Sequence, residues 1–466
     1  MKENQLLHTL VIQLTPKDRR KARLFLQSPY FNQREDVVRL FDHLEERLHV
    51  LKLELEKKAL FQAVYPGEPF SDQKLRLVQS YLLKLLEEWL AQEEWRATPL
   101  PGLPLLPAAY RKRELHKHSN KSLRQAAILL ENHPWRNETY YRSAYALENE
   151  QYQRSLAAGR SQALNLQILE NHLQIATLSA RLRQACFTMA HSAIFQADYH
   201  IPMLEALLLE ARQPQYVNIP AVSLYFLCYQ ALYLPPDEKR FADFHQALQT
   251  HFEQFPPDEM RDLFLLAINY CIRQINDNRE VYLAEALHLY KKGLESELLL
   301  EGGRISRFTY NNATGIALRL KDWPWADWLV HSYRDRLDPA HRDATYSLNA
   351  ARLHYAQQHY REAMLLLQKA DYKDVIHNLT ARTLQLKIYF ELQEYDLLDA
   401  HLKNMYTYLR RNKLIGYHQH NYLNIAKWTQ RIMTANLNDP LEKEKIRRGI
   451  EQEEPLTEKH WLLQQL

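Results

Sequence analysis

Apolar residues along this chain recur at helical rather than alternating intervals. After Ser71, the residues Leu75, Leu77, Val78, Leu82, Leu85, Leu86 and Trp89 fall along one side of a long helix capped by that serine. Upstream, Thr15-Pro16-Lys17-Asp18 supplies a cap, a proline at the first helical position and an acid in the first turn. This helix is expected to run to about Gln27, where Ser28-Pro29 breaks it. Asn32 is placed to cap a second helix through Arg39, Leu40 and Leu44, and a third covers Lys57 to Val64, ending at Tyr65-Pro66-Gly67. Residues 1–96 therefore read as an N-terminal helical domain. The next stretch, ATPLPGLPLLP over Ala97–Pro107, carries four prolines and predicts an extended, non-helical linker over 97–109 whose leucines pack on a neighbour.

From about Tyr110 the pattern is helix, short turn, helix. Ala144, Cys186, Cys228, Cys271, Thr314, Ala351, Leu386 and Ala426 each sit inside a helix-like apolar segment, at separations of 42, 42, 43, 43, 37, 35 and 40 residues. Seven of these eight are small, as is needed where two helix axes approach closely. A period of this size is the mark of stacked helical hairpins. His133-Pro134, Ile219-Pro220, Pro235-Pro236, Pro256-Pro257, Gly302-Gly303 and Asp338-Pro339 fall between segments as breakers. The expected architecture is all-α: the N-terminal helical domain, then a right-handed α-solenoid of about eight hairpins over 110–436, then a charged C-terminal tail over 437–466. In that tail Leu441, Ile446 and Ile450 could share the face of one amphipathic helix.

The clearest unit is ATYSLNAARLHYAQQHYREAMLLLQKA over 344–370. Ala351 takes the small position of its first helix, Tyr360 opens the second, and Ala363, Leu367 and Ala370 form the inner side. The following unit carries Leu386, Tyr389, Tyr395, Leu398 and Leu402, and the preceding one Trp323 and Ala326. These residues resemble a tetratricopeptide repeat over about 306–412, and only its architecture over 110–305. The whole chain also looks like a family of uncharacterised bacterial helical-repeat proteins, a resemblance that brings no activity with it.

Two residues before the small position stand Asn269, Asn312, Asn349 and Asn424; one residue after it stand Arg352, Lys387 and Lys427. In tetratricopeptide repeats both places face the concave groove, and the resemblance puts Asn311 and Arg319 there too. An amide both donates and accepts, so an amide row flanked by cations suits an extended peptide with acidic residues or a free C-terminus. The alternative is that the asparagines bond neighbouring helices and hold the stack, since asparagine is poor in mid-helix and needs a reason to be there. The candidate groove residues are thus Asn269, Asn312, Asn349, Arg319, Arg352 and Lys387. Trp323, Trp325 and Trp328 read as core between hairpins.

Composition narrows the function classes. Glycine is scarce, 9 in 466 residues, and neither G-x-G-x-x-G nor G-x-x-x-x-G-K-[ST] occurs, so phosphate-cradling α/β enzymes are disfavoured. No catalytic signature stands out, and the reading is of a non-enzyme without cofactor or metal. Net charge is only +4. The cluster Lys17, Arg19, Arg20, Lys21 and Arg23 is offset within residues 1–96, which hold 16 Lys/Arg against 15 Asp/Glu, so nucleic acid is a disfavoured partner. Three cysteines on apolar faces suit a reducing compartment, and with no signal-like N-terminus or apolar span the expected location is cytoplasmic. The leading expectation is a scaffold or adaptor that binds a protein segment in the groove. The rival is a peptide-responsive transcriptional regulator whose N-terminal domain binds nucleic acid.

Overall fold

The computed structural model describes residues 2–51, 56–98, 100–157, 164–195, 197–277, 279–369, 372, 374–412 and 418–466; Pro99 and Ala370 lie outside them. Among these residues the fold is all-helical apart from a two-stranded ribbon, and it divides into two compact units, Met1–Ala180 and Arg181–Leu466.

The first unit contains α1 (Lys2–Gln13), α2 (Pro16–Leu26), α3 (Glu35–Glu45), α4 (Lys57–Val64), α5 (Asp72–Ala97), α6 (Leu105–Arg111), α7 (His116–Glu131), α8 (Glu138–Ala157) and the start of α9 (Leu166–Phe195). Thr15 and Asp18 close a capping box on α2, and Ser71 accepts the Lys74 amide at the start of α5. Asn32 does not cap α3. Its side chain instead donates to the Leu26 carbonyl at 2.8 Å and accepts the Arg34 amide at 3.0 Å, closing the preceding turn. Leu7, Phe41, Phe61, Leu82 and Trp89 belong to one core cluster drawn from α1 to α5. The proline-rich stretch departs from its predicted extended form: residues 100–102 make a 3₁₀ turn and α6 begins at Leu105. Pro107 is tolerated because it lies in the first turn, where a backbone N–H has no helical acceptor in any case. Leu100 is buried with Leu123, Ala126, Leu130, Ala144 and Leu147.

The second unit continues with α10 (Leu204–Ala211), α11 (Pro220–Tyr233), α12 (Glu238–Thr250), α13 (Pro257–Asn276) and α14 (Tyr282–Glu295). It goes on with α15 (Arg307–Arg319), α16 (Trp323–Ser332), α17 (Arg342–Ala356), α18 (Tyr360–Lys369), α19 (Val375–Glu391), α20 (Tyr395–Arg411), α21 (His418–Thr434), α22 (Pro440–Gln452) and α23 (Lys459–Gln464). Consecutive helices pair from α11·α12 to α19·α20, and first helices also touch one another at α11·α13, α15·α17, α17·α19 and α19·α21. Three successive hairpins turn the same way. Lys321, Gln358 and Gln393 take left-handed φ of 59, 63 and 59°, and the next amide returns to the carbonyl five residues back in each case. No glycine marks these turns and a proline follows only the first, Pro324 in the opening turn of α16, so the breaker pattern did not reveal them. Gly302 and Gly303, both with positive φ, turn the ribbon that pairs Leu300 with Ile305.

All eight residues of the 35-to-43-residue register are buried, the three cysteines at 0% exposure. Tyrosines tie neighbouring helices: the half-buried Tyr233 donates to the Cys186 carbonyl at 2.8 Å and the buried Tyr310 to that of Val330 at 2.7 Å. Trp328 corrects the core reading of the tryptophans, being 42% exposed. In α16 the inward stripe is Ala326, Leu329 and Val330, and helical geometry leaves Trp328 beside it. The C-terminal residues form two helices where one was expected, and Ile446, Ile450, Trp461 and Leu462 are buried in the last core cluster. Among the described residues no helix is long and apolar enough to cross a membrane.

Burial without spare volume makes the register positions intolerant of size. Cys228→Trp should overpack α11 and lower stability by about 1–3 kcal/mol or more, read as a fall in urea midpoint with unchanged slope. An unshifted midpoint would show that the position is not tightly packed.

Candidate peptide-binding site

The candidate residues lie on the first helices α13, α15, α17, α19 and α21, and the structure divides them into two kinds. Asn349 is fully buried. Its amide donates to the Asn311 side-chain oxygen at 2.6 Å and to the Thr345 carbonyl at 2.8 Å, while Arg352 donates to its oxygen at 3.4 Å. Arg352 also reaches the Asn311 carbonyl at 3.3 Å, and Asn311 donates to His377 Nε2 at 3.0 Å. Burial lowers the His377 pKa, which favours the neutral ring that accepts this bond. Asn349 thus joins α17 to α15, and Asn311 joins α15 to α19. Gly315 makes room for the guanidinium, since a Cβ there would fall 2.7 Å from Arg352 Nη2. Asn269 and Asn312 are exposed.

The cations of the register meet an acidic segment of the same chain. Residues 453–458 connect α22 to α23, leaving α22 in extended geometry at Glu453. Lys427 Nζ lies 2.7 Å from Glu453 Oε2, and Trp428 Nε1 donates to the same oxygen at 3.0 Å. Asn424 donates to the Pro455 carbonyl at 2.9 Å. Lys387 Nζ lies 2.8 Å from Glu458 Oε2, with the Tyr355 and Trp461 rings 4.8 and 5.5 Å from its nitrogen. Trp461 Nε1 donates to Glu391 at 2.8 Å. Burial pushes the Glu458 carboxyl up, but Lys387, Arg352 and Arg319 outweigh it and hold the group below its ordinary value. Lys427 does the same for Glu453. Gly449 lets α22 press against Trp428, because a Cβ there would come within 2.3 Å of the indole.

Lys387 thus pairs directly with Glu458, whereas Arg352 bonds Asn311 and Asn349 and Arg319 pairs with Glu280 at 3.2 Å, both adding only electrostatic attraction to that carboxylate. Sequence reasoning missed Glu453, Glu458, Trp461 and Gly315. The signal for the glutamates was available: EQEEPLTE over 451–458 is opposite in sign to the cation register. The basic cluster of α2 is engaged otherwise. Arg19 pairs with Glu45 at 3.1 Å, Arg23 with Asp42 at 2.7 Å, and Lys21 with Glu93. No protein-family model, no curated protein and no solved structure matches the chain.

Two outcomes follow. Asn349→Ala deletes a buried amide that three groups use, and should cost about 1–3 kcal/mol of stability by chemical denaturation; a neutral substitution would remove Asn349 from the helix-joining role. Acid should loosen the C-terminal connection. Glu453 and Glu458 both have folded pKa values below the ordinary 4.5, so their contribution is complete above that value and is lost as pH falls through the lowered folded values. Amide hydrogen exchange over Leu456–Trp461, corrected for intrinsic rates, should accelerate between about pH 6 and about pH 3.5 relative to the α11–α14 core. Equal behaviour of both regions would contradict it.

Proposed function

We propose that residues 110–436 form a right-handed solenoid of tetratricopeptide-like hairpins preceded by an N-terminal helical domain, and that the protein is a non-enzymatic cytoplasmic scaffold or adaptor. Its ligand is an extended protein segment carrying acidic residues, held on the inner face of the first helices. One observation carries this reading. A bent acidic connection of the chain itself bonds those first helices, Asn424 holding its backbone and Lys427 and Lys387 its carboxylates. An amide for the main chain and cations for the side chains are what such a surface needs in order to hold an acidic peptide. The resemblance to the uncharacterised bacterial helical-repeat family agrees with a binding role and supplies no activity. Three buried, unpaired cysteines accord with a reducing compartment.

The test is photo-crosslinking from the exposed positions Asn269 and Asn312 in the full chain, in native cytoplasm, with the captured peptides sequenced by mass spectrometry. Acidic segments of a second protein are expected. Their yield should fall on Arg319→Glu with Lys387→Glu while helicity is retained, and should fall as salt rises above the point where the Debye length is about 8 Å. Capture that ignores both charge reversal and salt would sink the proposal.

A further inference from the structure

We infer that Glu453–Trp461 is a tethered occupant of the peptide groove, competing with an external segment of the same chemistry. That segment carries two carboxylates five residues apart and a tryptophan three residues beyond the second, as Glu453, Glu458 and Trp461 do. The inference rests on the peptide-groove reading and adds both the ligand's spacing and its regulation.

The spacing follows from register. Lys427 and Lys387 hold the same place on neighbouring first helices, each one residue after the small position, and each takes one carboxylate. Neighbouring helix axes in contact lie about 8–10 Å apart, and five residues of extended chain reach at most about 17 Å. The connection covers that distance along a bent path, with bends at Glu454 and Pro455 and a left-handed φ of 56° at Glu458, and so sets its two carboxylates on successive cations. Trp461 completes the footprint: it covers Lys387, meets Phe390 edge-on at 5.5 Å and donates to Glu391.

Competition follows from how the segment is held. Lys427 and Glu453 keep 56 and 23% of their side-chain surface exposed, so that pair is water-reachable and individually weak, whereas Lys387, at 11%, is largely covered and only its partner Glu458, at 38%, meets water. The segment is retained by the burial of Trp461 and Leu462 in the C-terminal core and by its tether, which sets an effective concentration on the order of millimolar. Weakening the carboxylates without shortening the chain should free the cations for a ligand in trans.

The test uses the full chain with Glu453→Gln and Glu458→Gln, and a fluorescein-labelled synthetic peptide of residues 451–466 as probe. Tryptic cleavage after Lys459 should accelerate about tenfold or more over wild type, and the probe should bind the variant about tenfold or more tightly, the tethered competitor being weakened. A probe with glutamine at both glutamate positions should bind poorly. Wild-type chain in about 1 M salt should show the same rise in cleavage, a check independent of how the variant folds. Unchanged cleavage would mean a fixed cap anchored by Trp461 and Leu462, and would overturn the inference. Faster cleavage with equal probe binding to both chains would also overturn it, while leaving the groove reading intact. Faster cleavage with no probe bound to either chain would remove both. A doubled mass by light scattering, with the segment seated in a second copy, would overturn the tethered arrangement.

Discussion

Close approach of paired helices at one small residue per hairpin is the constraint on which the rest of the second unit depends. Cys186, Cys228, Cys271, Thr314, Ala351 and Ala426 have no exposed surface, and their side chains leave little between the backbones that flank them. Once that position is fixed, helical geometry fixes its neighbours. The residue after it turns about 100° around the helix and the residue two before about 200°, so the same faces recur along successive first helices. Arg352, Lys387 and Lys427 form a row for this reason, not because they attract one another.

A row of like charges is unfavourable unless something offsets it. Two solutions operate side by side. Arg352 is sunk among amides, where Asn311 and Asn349 accept from it and Gly315 leaves the necessary space. Lys387 and Lys427 are met by carboxylates of the C-terminal connection. Glu458 pairs with Lys387 and is also attracted by the Arg352 charge, so the two groups are coupled electrostatically. The structural and the ligand-like roles of the register thus share a boundary at Arg352.

The asparagines show how one sequence feature divides. Asn349 and Asn424 occupy the same register position, two residues before the small one. Asn349 is buried and bonds within the helices, whereas Asn424 bonds the main chain of the bent connection between α22 and α23. The difference is in what packs opposite. Asn311 and the Arg352 guanidinium close over Asn349, while Asn424 faces the connection to α23.

Much of the fold was legible in the chain alone. Helical periodicity, the capping residues Thr15 and Ser71, and the near-constant spacing of buried small residues are local or one-dimensional properties, and they determined helix placement, the starts of α2, α4, α5, α16, α18 and α20, and which positions are buried. Other features lay beyond it. The left-handed turns at Lys321, Gln358 and Gln393 carry no glycine, because the returning backbone bonds outweigh the modest strain of a side chain there. The helix over Leu105–Arg111 survives Pro107 because it falls in the first turn. Above all, the pairing of Lys387 with Glu458 joins residues 71 positions apart. No local propensity encodes such a contact; only the path of the chain after α22 brings that carboxylate to those cations, and only tertiary structure decided it.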